Sequence, residues 1–175
     1  MKKTVIIYGS TTGTCEGLAN KIAAELGAMG AGSGAVDVIN VNALNGNIVA
    51  GAENLLLGTS TWGSGGLQDD WYDAIESLKN ADLSGKTVAI FGCGDSLSYP
   101  DTFCGGMAEL YNAAKAAGAT VIGAVPTDGY TYLDSAAIID GQFVGLPLDE
   151  DNESSKTDDR IAAWVAQILP HVSYP

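Results

Sequence analysis

The segment Gly9-Ser10-Thr11-Thr12-Gly13-Thr14 constrains this chain more than any other. It follows the apolar run Val5-Ile6-Ile7-Tyr8 and opens a helical pattern in which Leu18, Ile22 and Leu26 recur at near-four spacing. A strand that turns through hydroxyl residues and glycines into a helix makes an anion site. The first backbone N–H groups of the helix have no intrahelical partner there, and the helix dipole favours negative charge. Ser10, Thr11, Thr12 and Thr14 add hydroxyl donors enough to surround a phosphate. The loop contains no Lys or Arg, and the Gly-x-x-x-x-Gly-Lys-[Ser/Thr] pattern of nucleotide triphosphatases is absent. A phosphate monoester on a cofactor therefore fits better than a triphosphate that must be cleaved. The same residues would also make a plain helix cap with no ligand.

Apolar runs and amphipathic patterns alternate from this point to the end of the chain. Strands are expected at residues 3–8, 36–41, 54–59 and 87–91, and a fifth at 121–125. Helices are expected at residues 13–29, from Asp69 onward with Trp71, Ile75 and Leu78 on one face, and at 103–117. Gly27, Gly30, Gly32 and Gly34 read as a mobile connection between the first helix and the second strand. After the fifth strand come about twenty polar and turn-forming residues, and strand character resumes at Phe143-Val144-Gly145-Leu146. The last helix is expected over 157–169, with Thr157 as N-cap, Ile161, Trp164, Val165 and Ile168 facing inward, and Pro170 closing it. This alternation predicts an α/β fold, a doubly wound five-stranded parallel sheet with the fifth strand interrupted by an insertion. In such a sheet ligands bind beyond the C-terminal strand ends, where the loops after strands one, three and four gather.

Charge and cysteine content narrow the function classes. Twenty-one acidic residues against eight basic ones give a net charge of −13 over 175 residues, which argues against nucleic acid and anionic membrane as partners. Cys15, Cys93 and Cys104 contain no Cys-x-x-Cys pair, and the single histidine, His171, reads as a solvated residue near the C-terminus. Neither a disulfide framework, a metal cluster nor a Ser-His-Asp triad can be assembled from these residues. No apolar run is long enough for a membrane span and no signal peptide precedes the first strand, so the expectation is one cytoplasmic domain over residues 1–175.

The loops at the same sheet edge are unusual. After the third strand stands Thr59-Ser60-Thr61-Trp62-Gly63, and after the fourth Gly92-Cys93-Gly94-Asp95-Ser96-Leu97-Ser98-Tyr99. A Trp among small residues at a strand end is placed to lie against a planar ligand, and Tyr99 is a second aromatic on the neighbouring loop. Two aromatics beside a phosphate cradle describe a slot for a flat, phosphorylated heterocycle.

With these residues in view the chain closely resembles the flavodoxins, small carriers that bind FMN without a covalent bond. The resemblance rests on Gly9-Ser10-Thr11-Thr12-Gly13, on Thr61-Trp62-Gly63, on Phe91-Gly92-Cys93-Gly94-Asp95 with Tyr99, and on the stretch from Phe143 to Asn152 followed by Thr157-Asp158-Asp159-Arg160. The insertion in the fifth strand resembles that of the long-chain subgroup, and the implied strand order is 2-1-3-4-5. The resemblance implies that Ser10, Thr11, Thr12, Gly13 and Thr14 hold the FMN phosphate. Trp62 would stack on the inner face of the ring and Tyr99 on the outer. The backbone at Asp95 would approach the pyrimidine edge, and the carbonyl of Gly63 would turn toward flavin N5 when the semiquinone forms. Cys15, Thr59, Ser60, Thr61, Cys93, Gly94, Asp101, Phe103 and Cys104 complete the implied cofactor-binding set, and no metal is implied.

Cys15 departs from the family, which commonly has a hydroxyl residue there. A thiol donates weakly, at a cost on the order of 1 kcal/mol of phosphate binding. At a helix N-terminus its thiol is also expected to be acidified and open to oxidation. Cys93 and Cys104 read as packing residues.

The implied function is low-potential one-electron transfer, with FMN shuttling between semiquinone and hydroquinone. The carboxylates of Asp69, Asp70, Asp95 and Asp101 would make the fully reduced anion a strong reductant. The expected partners are basic redox proteins, such as an NADPH-dependent flavodoxin or ferredoxin reductase, met by a monomer in transient complexes. Residues 127–145 either shape such docking or simply cover the sheet edge. An NAD(P)H-dependent quinone reductase on the same fold is the alternative, but Trp62 and Tyr99 would leave little room for a second substrate. A phosphoacceptor receiver domain needs acidic residues where this chain has Tyr8-Gly9 and Thr59-Ser60.

Overall fold

The computed structural model describes residues 3–31, 36–62 and 65–172. Its frame is a parallel sheet built on β1 (Thr4–Gly9), flanked by β2 (Val36–Asn40) and β3 (Asn54–Trp62). A short β4 (Gly66–Leu67) folds back antiparallel on the end of β3, and β5 (Thr87–Cys93) pairs along the other side of β3. The position beyond β5 is shared by two strands, β6 (Thr120–Ile122) beside Thr87–Ala89 and a later one beside Phe91–Cys93. Between them β7 (Val125–Pro126), β8 (Ile138–Ile139) and β9 (Gln142–Phe143) form a separate small antiparallel sheet, and β10 (Leu146–Leu148) then resumes the main one. The order β2-β1-β3-β5 followed by β6 and β10 is the expected 2-1-3-4-5, with the fifth position divided.

The alternation along each strand decides which helices it meets. In register, Ile7, Leu57 and Ile90 point to one face, and Ile6, Leu56 and Ala89 to the other. The first face packs against α3 (Asp69–Asn80) and α4 (Gly106–Ala116) through Trp71, Ile75, Leu78, Met107 and Leu110. The second packs against α1 (Thr14–Leu26) and α5 (Ser154–Val172) through Leu18, Ile22, Ile161, Trp164, Val165 and Ile168. Both faces are covered, as near-continuous apolar strands require. A short α2 (Gly46–Gly51) links β2 to β3, capped by the Asn45 side chain, which accepts from the backbone of Ile48 at 3.0 Å.

Several boundaries differ from those the sequence suggests, each for a physical reason. The last helix starts at Ser154, not at Thr157. The Thr157 hydroxyl is buried and donates to Glu150 instead of capping, while Glu153 pairs with Lys156 and Arg160 across the added turn. Pro170 lies inside that helix, which continues to Val172 because Val172 is buried and its carbonyl accepts from Asn54 Nδ2 at 2.9 Å. His171 is exposed in that last turn. Gly27–Ala31 continues α1 as a wider turn that breaks at Gly30, whose φ of 112° is not helical; 32–35, the rest of that connection, fall outside the described residues. Helix α4 begins at Gly106 because 101–105 are held in turns.

The fifth strand resumes at Leu146, three residues later than the apolar run begins, since Phe143 belongs to β9. Phe143 is fully buried and meets the rings of Phe103, Tyr130 and Tyr132 at 5.2–6.1 Å. Gly145 then passes so close to β5 that a Cβ there would sit 2.0 Å from the carbonyl oxygen of Ile90.

Candidate functional site

The C-terminal ends of β1, β3 and β5 open onto a cleft of about 280 Å³, near the lower end of the size range of small-molecule sites. Its walls carry Thr12 from the loop before α1 and Thr14 at the start of that helix, Ser60, Thr61 and Trp62 from the end of β3, Cys93 at the end of β5, and Gly94, Asp95 and Tyr99 after it. Thr102, Phe103, Glu150 and Asp151 complete the lining. The three loops singled out by composition therefore meet around one cavity.

The loop before α1 is shaped by its own hydroxyls. Gly13 adopts φ 90° with open space where a Cβ would point, a left-handed turn that glycine makes without strain. Ser10 Oγ accepts from the Gly13 N–H at 3.1 Å, and the Thr12 and Thr14 hydroxyls lie 3.4 Å apart. Gln68, the N-cap of α3, donates from Nε2 to Thr11 Oγ1 at 3.1 Å. Ser10, Thr11 and Gly13 thus build the loop, while Thr12 and Thr14 face the cavity. No side chain caps α1, so its first-turn N–H groups stay available at this end of the cleft.

Both aromatics are exposed, and Trp62 is restrained by a hydrogen bond. Trp62 is 44% exposed and its Nε1 donates to Ser60 Oγ at 2.8 Å; Tyr99 is 61% exposed. Thr61 Oγ1 accepts from the Gly106 N–H at 3.2 Å, tying the end of β3 to α4. Gly63 lies outside the described residues.

The wall after β5 is held from two sides. The Asp95 carboxylate accepts from Ser98 N at 2.9 Å and from Asn152 Nδ2 at 2.8 Å, and these bonds hold its carboxyl below the usual aspartate range. Leu133 and Asp134 both donate their N–H to the carbonyl of Pro100, and Ser135 Oγ donates to that of Phe103 at 2.5 Å. The insertion thus braces the segment that carries Tyr99. Burial, followed by the carboxylates of Asp95, Asp149 and Glu150, pushes the Asp151 carboxyl above its usual range.

Some residues of the expected set stand elsewhere. Cys15 is fully buried in α1 with its thiol in contact with Cys93, and the contact, with burial, raises its pKa well above the usual thiol range. The expectation of an acidified, accessible thiol is therefore corrected, because the side chain turns into the core and away from the helix end. The Thr59 hydroxyl is also buried, donating to Ser60 O and accepting from Gln68 N. Asp101 is exposed on a turn outside the cavity lining. Cys104 is buried, with burial pushing its thiol pKa up, and its Sγ is 3.8 Å from the carbonyl of Leu148. Thr102, Glu150 and Asp151 were not among the expected site residues. The last two reach the cleft only because β10 ends at Leu148, a boundary the apolar pattern misplaces.

Comparison with known proteins shows the family. A family model described as Flavodoxin matches residues 6–164. Flavodoxin 1 of Azotobacter vinelandii is 42% identical over 170 residues, covering 95% of this chain and 95% of its own length. A flavodoxin of Picosynechococcus is 39% identical over 170 residues, covering 97% of this chain and 98% of its own. The crystal structure of Fusobacterium nucleatum flavodoxin bound to flavin mononucleotide superimposes with a TM-score of 0.90 at 32% identity, covering 98% of this chain and 99% of that one.

Proposed function

Because this chain belongs to the flavodoxin family, we propose that it is a low-potential one-electron carrier of the long-chain subgroup, working as one FMN-binding unit over residues 1–175. Family membership makes it an electron-transfer protein rather than an enzyme. The observation that carries the reading is the convergence of an uncapped α1 N-terminus, cleft-facing hydroxyls and two exposed aromatics on one cavity. The insertion that divides the fifth strand position between β6 and β10 supports the subgroup.

These residues fit FMN. Backbone N–H groups and hydroxyls from Ser10 to Thr14 are donors without a cation, suited to a phosphate monoester. Trp62 and Tyr99 offer apolar faces for the ring, and Cys93, Gly94 and Asp95 line the same cleft. Gly63, which lies outside the described residues, would turn its carbonyl to flavin N5, as the resemblance implies. Bound FMN supplies the redox chemistry, cycling between semiquinone and hydroquinone. The protein holds the ring, limits water at its faces, and sets the field it experiences. Asp95, Glu150 and Asp151 at the cleft disfavour added negative charge there and so favour a strong reductant.

The same acidity suits a basic redox partner, such as an NADPH-dependent flavodoxin or ferredoxin reductase, docking transiently on a monomer. Three unpaired cysteines suit a reducing compartment, the cytoplasm.

The test is stepwise anaerobic reduction of the purified protein, followed by visible absorption. The expected result is one FMN per chain and two well-separated one-electron steps. A single two-electron step would shift the reading to a quinone reductase, and failure to bind FMN would overturn it.

A further inference from the structure

One fully buried carboxylate is unused by the site as described. Asp149 follows β10, is 0% exposed, and does not line the cleft. Burying a carboxylate is expensive unless its oxygens are satisfied, and none of the ion pairs among the described residues includes Asp149. Hydrogen bonds do the work instead. Oδ2 accepts from the backbone N–H of Ser96 at 3.1 Å and from its hydroxyl at 2.5 Å. Oδ1 accepts from the Asn152 N–H at 3.0 Å, and Asn152 Nδ2 donates to both oxygens at 3.1 Å.

These partners lead to the cleft. Asn152 Nδ2 also donates to Asp95 Oδ1 at 2.8 Å, and the Asp95 carbonyl accepts from the Tyr99 N–H at 2.9 Å. The carboxylate therefore knots the end of β10 to the loop that carries Tyr99, from beneath and without touching the cavity. Charge-assisted hydrogen bonds of this kind are stronger than those between neutral groups and hold geometry tightly.

We propose that Asp149 is a positioning residue for flavin binding: it anchors the 95–99 turn so that the ring-side wall of the cleft is set before the cofactor arrives. Preformed walls raise affinity by removing the ordering penalty on binding. The inference rests on the flavin reading above and assigns Asp149 a part in it. The phosphate end of the cleft is built from a different loop, so Asp149 acts on the ring alone.

The experiment titrates flavin-free protein with FMN and with riboflavin, which lacks the phosphate, and follows flavin fluorescence. Asp149→Ala should weaken both by at least about tenfold with their affinity ratio unchanged, and Asp149→Asn should fall between it and the parent protein. The visible circular dichroism of flavin still bound should change, which loss of global stability alone would not cause. Asn152→Ala, at an exposed side chain, cuts the link to Asp95 and should weaken both flavins by roughly threefold or more. The double variant should be little worse than Asp149→Ala, because the two act through one chain of bonds. Affinities within twofold of the parent, or a loss confined to FMN, would overturn the proposal. If Asp149→Ala does not fold, Asn152→Ala decides by the same criterion. A parent protein that binds neither flavin overturns the functional reading; a parent that binds beside indifferent variants overturns only this inference.

Discussion

Gln68 Nε2 donates to Thr11 Oγ1 at 3.1 Å, so the cap of α3 also steadies the loop that leads into α1. The same side chain accepts from the Asp70 N–H at 3.0 Å and is almost wholly buried. Gln68→Ala removes both bonds and a third, from Nε2 to Asp70 Oδ2 at 2.9 Å. It should lower stability by about 1–2 kcal/mol in urea unfolding and weaken FMN severalfold, with little effect on riboflavin. Equal losses for the two flavins would place the effect outside the phosphate loop.

The raised pKa of Asp151 has a definite sign. Burial and the carboxylates around it favour the protonated side chain in the folded state, so its ionisation detracts from stability as pH rises through that window. Asp151→Asn should therefore stabilise the protein at neutral pH, and the gain should vanish in acid, where the carboxyl is protonated in both states. The same change should raise the lower reduction potential. One carboxylate about 10 Å from a developing charge, at an effective dielectric of about 40, contributes roughly 0.8 kcal/mol, or about 35 mV. Potentiometry that finds no shift would remove Asp151 from the field acting on the cofactor.

Cysteine chemistry gives a third prediction. Cys15 and Cys104 are fully buried with raised pKa values, and Cys93 forms part of the cleft wall. Alkylation of the folded protein at pH 8 should be slow at Cys93, slower still with FMN bound, and negligible at Cys15 and Cys104. All three should react at once in denaturant. Rapid labelling of Cys15 in the folded state, read by mass spectrometry, would contradict its placement.

Sheet order and the three cleft loops were legible because each rests on a local signal. Apolar runs such as Leu55-Leu56-Leu57 can be buried on both faces only in a covered parallel sheet, and Trp62 has no core position to occupy. The direction of individual side chains was less legible. Cys15 stands where a helix N-terminus suggests reactivity, yet the helical turn sends its thiol toward Cys93. The start of β10 was displaced because Phe143 and Leu146 are equally apolar, and only the ring cluster with Phe103, Tyr130 and Tyr132 assigns Phe143 to the insertion. Asp149 was visible as a letter but not as a buried anchor, since its partners Ser96 and Asn152 are brought to it by tertiary packing.

The division of the strand position beside β5 has a consequence for how copies of this protein meet. An edge strand offers unpaired backbone groups on which a second chain can template, and the hazard grows with the length of flat, continuous strand. Here that side of the sheet is broken into two runs of three residues, Thr120–Ile122 and Leu146–Leu148, with a folded insertion between them. Neither run is long enough to seed an intermolecular ladder. Joining them into one continuous strand by deleting the insertion would create such an edge and, with it, a route to aggregation.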